Sequence, residues 1–140
     1  MPLGSSTSKQ ARGIALDAFY GDGRAAGTPA LIDMALFVGD PTGAGTELTS
    51  TGGYARVQLG NNSTIFPNAL PTNSYAKLVG IPIRFPVSTA AWSGTPDHWA
   101  FFDHATSDLL DSGTITGSAT ISAANQILRF DTNTIEITVA

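Results

Sequence analysis

The sequence contains no cysteine. A disulfide framework and a cysteine-based zinc site are therefore excluded. Charge is also scarce. Asp, Glu, Lys and Arg make up 13% of the 140 residues, against about a quarter in a typical soluble domain. Polar surface must come from Thr, Ser, Asn and Gly, which suits a β-rich protein that buries neutral surface against partners. The net charge is −4 and the seven basic residues are scattered, so no footprint for a nucleic-acid backbone is present. No apolar run is long enough to span a membrane. The stretch Met1–Ser6 lacks a basic region followed by an apolar core, so no secretory signal is expected. Pro2-Leu3-Gly4-Ser5 resembles a protease-site scar and carries no functional weight.

Acid–base chemistry has few residues to draw on, with two histidines and only Glu47 and Glu136 as glutamates. No serine sits in a nucleophile-elbow motif, and Gly39, Gly43 and Gly45 lack the lysine and following helix of a phosphate loop. The one constellation with metal-ligand chemistry is Asp97, His98, Asp103, His104 and Asp108. Its spacing follows no common motif, and turn capping explains the carboxylates better. The Asp40–Glu47 loop lacks the alternating acids of a calcium loop. No enzyme activity, metal or cofactor is expected.

What is present is a chain of short strands punctuated by turns. Residues 1–8 read as a polar arm. Ala11, Ile14, Ala15, Ala18 and Phe19 fall at helical spacing, predicting a helix over 9–20 ended by Gly21-Asp22-Gly23. Pro29–Val38 reads as a central strand, apolar on both faces, with Asp33 expected to bond backbone. Gly52-Gly53 precedes a period-two run in which Tyr54, Arg56 and Gln58 face one way and Ala55, Val57 and Leu59 the other.

Residues 60–76 are irregular, with Ile65, Phe66 and Leu70 as apolar members, and Asn61 and Asn62 match the glycosylation pattern only by chance. Leu78–Phe85 reads as a strand with Val79, Ile81, Ile83 and Phe85 inward and Pro82 marking an edge or bulge. A loop over 86–97 carries Trp92, whose indole nitrogen needs only one partner. His98–Phe102 and Leu109–Thr116 form a hairpin around 103–108; Ala119–Ile121, Gln126–Phe130 and Thr134–Val139 complete the set. Seven or eight strands at this spacing predict an all-β fold. It is read as a single antiparallel β-sandwich or jelly-roll-like domain over 9–140, with one N-terminal α-helix.

The segment Ala35–Leu59 also carries a resemblance, in its ALF, DP, GTE and GGYAR elements. With Ile83–Trp92, His98–Asp103 and Leu109–Gly113, in the same order, it resembles the small tailed-bacteriophage proteins labelled tail fibre proteins. The resemblance implies a non-enzymatic structural protein of the virion. The scarcity of basic residues favours an outer position, and the resemblance implies the tail or its fibres. The compact size equally suits a capsid decoration, or cement, protein. A host-glycan-binding module is the reading from another class, with Trp92, Trp99, Tyr54 and Tyr75 as stacking rings. The expected partners are the chain itself, as a homotrimer, and other virion proteins. Ile65, Phe66, Leu70 and Trp92 are the candidate interface residues.

Overall fold

The computed structural model describes residues 17–21, 24–67, 76–117, 119–131 and 134–138. The expected arm lies outside these residues, as does most of the expected helix; Asp17–Phe19 are helical. The described chain is all-β and mostly antiparallel, with nine strands in three sheets. It divides into two compact units, one built from residues 1–30, 60–82 and 131–140, the other from 31–59 and 83–130.

The second unit holds the largest sheet. Its centre is β1 (Leu31–Val38), which pairs antiparallel with β6 (His98–Asp103) from Ile32↔Asp103 to Phe37↔His98. β6 in turn pairs with β7 (Leu109–Thr114), and a bulge falls between Phe101 and Phe102. The other edge of β1 is shared by β2 (Thr46–Glu47) and β3 (Val57–Gly60). β1 is thus central, as its two apolar faces predict. The β6–β7 hairpin closes where Asp and Ser cluster: Asp103 N–H donates to Asp108 O (2.9 Å), and Ser107 takes φ 62°.

Cross-strand partners share a face of a sheet. One face therefore presents Ile32, Met34 and Leu36 beside Trp99 and Phe101, each at most 4% exposed. Burying a side chain such as Phe101 contributes roughly 1.5–3 kcal/mol. The opposite face carries Ala35, Phe37, Ala100 and the partly buried Phe102, an apolar strip of its own. In the same unit β5 (Ile83–Arg84) pairs antiparallel with β8 (Arg129–Phe130), and Phe85 N–H donates to Leu128 O (3.0 Å).

In the first unit β4 (Ala76–Leu78) pairs antiparallel with β9 (Glu136–Thr138). Val79 N–H extends this ladder to Ile135 O (2.9 Å). Ile135 and Ile137 are buried with Val79, Phe66 and Tyr20.

Three expectations change. The strand expected over Leu78–Phe85 is two strands in different sheets, because Pro82 has no N–H to continue a ladder. Val79, Ile83 and Phe85 are nonetheless buried. The strand expected to begin at Tyr54 begins at Val57, and Ala55 is exposed rather than inward. Ala119 and Ile121 are buried without forming a strand; Ile121 O accepts instead from Trp92 N–H (3.1 Å).

Candidate functional site

All four segments that carry the resemblance fall in the second unit. Two of their elements, GTE and GGYAR, meet at the edge of β1. Glu47 lies on β2 opposite Phe37. Its Oε1 accepts from the Tyr54 hydroxyl (3.2 Å) and from Arg56 Nε (2.8 Å), while its Oε2 accepts from the second guanidinium arm (2.7 Å). The Arg56–Glu47 pair is therefore bidentate, the stronger geometry for a guanidinium and a carboxylate. It is also partly shielded, with side-chain exposures of 28% and 26%.

The Tyr54 hydroxyl has a second task. It accepts the main-chain N–H of fully buried Leu36 at 2.9 Å. Leu36 O accepts from Leu48 N–H (3.1 Å) on the β2 side. The phenol thus does the work of a missing strand between β2 and β3, satisfying a buried donor that would otherwise be orphaned. This is why the strand cannot start at Tyr54: its side chain, not its backbone, meets β1. Burial pushes the Tyr54 hydroxyl pKa well up, and the bond from Leu36 N–H pulls against it more weakly. The group stays protonated and donates to Glu47.

Arg56 also lies over the Phe102 ring, its Cζ 4.2 Å from the centroid. Phe102 stacks on Phe37 at 5.9 Å. The salt bridge therefore fixes a cation over the apolar strip, a contact worth about 0.5–1 kcal/mol at a partly exposed site.

The glycines set the backbone around this network. Gly52 has φ 71°, and a Cβ there would lie 2.5 Å from Ala91 O and 2.6 Å from Ala90 O. Only glycine fits such an approach without moving backbone. Gly52 O accepts from Thr89 N–H (2.9 Å), so the turn is docked on the 86–97 loop. That loop delivers Trp92, whose ring meets Tyr54 edge-on at 5.5 Å and Phe85 at 6.2 Å. Trp92 is 6% exposed, and among the described residues its Nε1 has no hydrogen-bond partner.

The five residues weighed as metal ligands do not converge. His98 Nδ1 sits 2.7 Å from Asp97 Oδ1, and His104 Nδ1 sits 2.8 Å from Asp33 Oδ1. The two imidazoles flank opposite ends of β6, about 20 Å apart along an extended strand. Asp33 thus bonds an imidazole, not backbone as its position suggested. Asp103 accepts from Ala105 N–H and Asp108 from the Thr106 hydroxyl, both as turn caps. Among the described residues no group of three His, Asp or Glu side chains is placed to share a metal.

The hydrogen bond from His98, helped by Gly39 N–H, holds the Asp97 carboxyl below its usual range. The Thr42 hydroxyl and N–H do the same for Asp40.

Of the rings considered for glycan stacking, Tyr54, Trp92 and Trp99 are at most 6% exposed and offer no open face. Tyr75 lies outside the described residues. Of the candidate interface residues, Phe66 is fully buried within its own unit, 5.0 Å from the Tyr20 ring, and Trp92 is buried as above. Ile65 is half-buried, and Leu70 lies outside the described residues.

Sequence reasoning missed a second organising residue, Asn61, which is 2% exposed. Its Oδ1 accepts from Gly21 N–H (2.7 Å), and its Nδ2 donates to Phe19 O (2.9 Å) and Pro29 O (2.8 Å). Its carbonyl accepts from Arg24 (2.7 Å) and its N–H donates to Ala30 O (2.9 Å). A buried amide so fully satisfied ties the 19–30 segment to the start of the 60–67 segment. No spacing in the sequence announces it.

Comparison with curated proteins finds no match, and comparison with solved structures finds none. A family model described as Podophage GP4 fiber I protein gp80 matches residues 7–138. The match takes in both units and all but the ends of the chain, so the chain belongs to that family of phage fibre proteins and its place is in the virion.

Proposed function

We propose that the chain is a non-enzymatic structural subunit on the exterior of a tailed-phage particle, held on the tail or its fibres, and that it assembles with copies of itself as a trimer. The observation that carries the reading is the fibre-family match over residues 7–138. The use of its polar groups supports it. Glu47, Tyr54 and Arg56 are spent on holding backbone and capping an apolar strip. Asp33, Asp97, Asp103 and Asp108 are spent on imidazole pairs and turns.

Low charge density supports burial of neutral surface against neighbours. Large apolar side chains remain open at Leu31, Val38, Val87, Leu109 and Ile127, at 37–52% exposure. Half-buried Ile65 is the described member of the original interface set with surface left to give.

The test is a phage lacking this gene. Its particles should lose the protein, keep filled heads, and show altered tail or fibre structure with reduced adsorption. Unaltered tails with heads that burst under osmotic shock would place the protein on the capsid as a cement instead.

A further inference from the structure

We infer that β7 is an assembly edge: it pairs antiparallel with β7 of a second copy across a two-fold axis at Gly113, joining two sheets into one. The inference goes beyond the proposed trimer. A two-fold contact cannot close a ring of three, so it links a subunit of one trimer to a subunit of the next.

β7 ends the largest sheet, with β6 on one side only. The hydrogen-bond phase of that pairing is fixed at both ends. Ile115 N–H donates to Asp97 O (2.8 Å), and Asp103 N–H donates to Asp108 O (2.9 Å). Bonded residues alternate along an antiparallel ladder. Asp111 and Gly113, opposite Phe101 and Trp99, therefore turn their main-chain groups to β6. Ser112 and Thr114 turn theirs away. Among the described residues the main-chain N–H and C=O groups of these two meet no partner. Ser112 is half-buried and Thr114 is exposed. An open row of main-chain donors and acceptors is a template for another strand, and Lys or Pro commonly guards it. Leu109–Thr114 contains neither, and the bulge falls near its start.

The occupant is a second β7, argued from self-complementarity. With Gly113 of one copy opposite Gly113 of the other, Ser112 of each chain faces Thr114 of its neighbour. Both are open positions, so their N–H and C=O groups satisfy one another. Glycine suits the axis, where the two Cα atoms of a pair that is not hydrogen-bonded approach to about 4.5 Å. The Trp99 ring already fills the side of Gly113, 2.7 Å from where a Cβ would stand. Charge selects the register. Here Asp111 faces the half-buried Ile115 of the other copy. An axis moved to Asp111 would set two carboxylates face to face, which destabilises a strand pair.

The experiment is residue-by-residue amide exchange of the full chain, with sedimentation velocity over the same concentration series. As the chain associates, the N–H groups of Ser112 and Thr114 should become protected. Those of Asp111 and Gly113 should be protected at every concentration. Ser112→Pro removes an N–H that the fold does not use, so its melt should stay near that of wild type. By symmetry it deletes a bond from each half of the contact, and association should weaken by roughly 30-fold. If that variant does not fold, Thr114→Pro decides in its place.

If the chain associates while Ser112 and Thr114 stay unprotected, or while the proline variant associates as tightly, the contact is wrong. A wild type that stays monomeric at every concentration also overturns it. Trimers that pair into hexamers support both the contact and the trimer. Dimers alone keep the contact and remove the trimer, and trimers that never pair do the reverse. The virion reading falls separately, only if the protein is missing from particles.

Discussion

Replacing Tyr54 with Phe removes one oxygen and leaves the ring against Trp92 and Phe85. The cost can be worked from the two bonds that oxygen makes. Leu36 N–H loses its acceptor inside a fully buried stretch of β1, and an orphaned buried donor costs about 1–3 kcal/mol. Glu47 loses one of its donors, but the bond is long at 3.2 Å and Arg56 still holds the carboxylate. That loss adds about 0.5–1 kcal/mol. The expected destabilisation is roughly 1.5–4 kcal/mol. At about 4 °C per kcal/mol for a chain of this size, Tm should fall by about 6–16 °C. Trp92 and Trp99 are the chain's two tryptophans, and both lie in the second unit. Their fluorescence therefore reports the melt of the unit that is perturbed. Tyr54→Leu, which also removes the ring, should be worse, by about 3–5 kcal/mol in all. A Tyr54→Phe melt within about 2 °C of wild type, less than 1 kcal/mol, would refute the claim that the hydroxyl stands in for a strand.

Other perturbations separate the remaining parts of the account. Gly52→Ala should destabilise by more than the roughly 1–2 kcal/mol of a left-handed backbone alone, because its Cβ also meets two carbonyls. Gly117→Ala, at φ 88° with nothing within 4 Å of its Cβ, should cost only that strain; equal urea midpoints for the two would contradict the packing argument. Asn61→Leu strands one N–H and two carbonyls and should cost roughly 3 kcal/mol or more, read as loss of amide-exchange protection at Gly21. The lowered carboxyl pKa values of Asp40 and Asp97 add stability that is complete above the unfolded-state value of 3.8 and drains away as pH falls through the folded-state values. Asp40→Asn with Asp97→Asn should therefore flatten the acid limb of Tm against pH while leaving its neutral plateau shape intact; an unchanged acid limb would count against both bonds.

Much of the second unit is legible in the sequence, and the reasons are local. β1 declares itself through apolar residues on both faces, and the β6–β7 hairpin through its Asp, Ser and Thr turn. What could not be read depends on distant groups meeting. Tyr54 looks like the first residue of an alternating strand until its hydroxyl is seen on Leu36, 18 residues away. Glu47, Tyr54 and Arg56 sit in conspicuous motifs, but no continuous helix or strand runs from 47 to 56 to announce that residues 7 and 9 apart will meet. Asn61 gathers groups 32 to 42 residues distant, and a lone asparagine in a polar run gives no hint of that. Asp97, His98, Asp103 and His104 look like a cluster in sequence because a six-residue strand is short to read, though it is long enough to hold its ends apart. The split of Leu78–Phe85 was signalled by Pro82, which says that a ladder stops but not that the chain leaves for another sheet.

The most direct test of the central claim is immunogold electron microscopy of intact particles with antibody to this chain. The account predicts gold on the tail or its fibres without any treatment that opens the particle, and none on particles lacking the gene. Gold confined to the head surface, or appearing only after particles are disrupted, would contradict it.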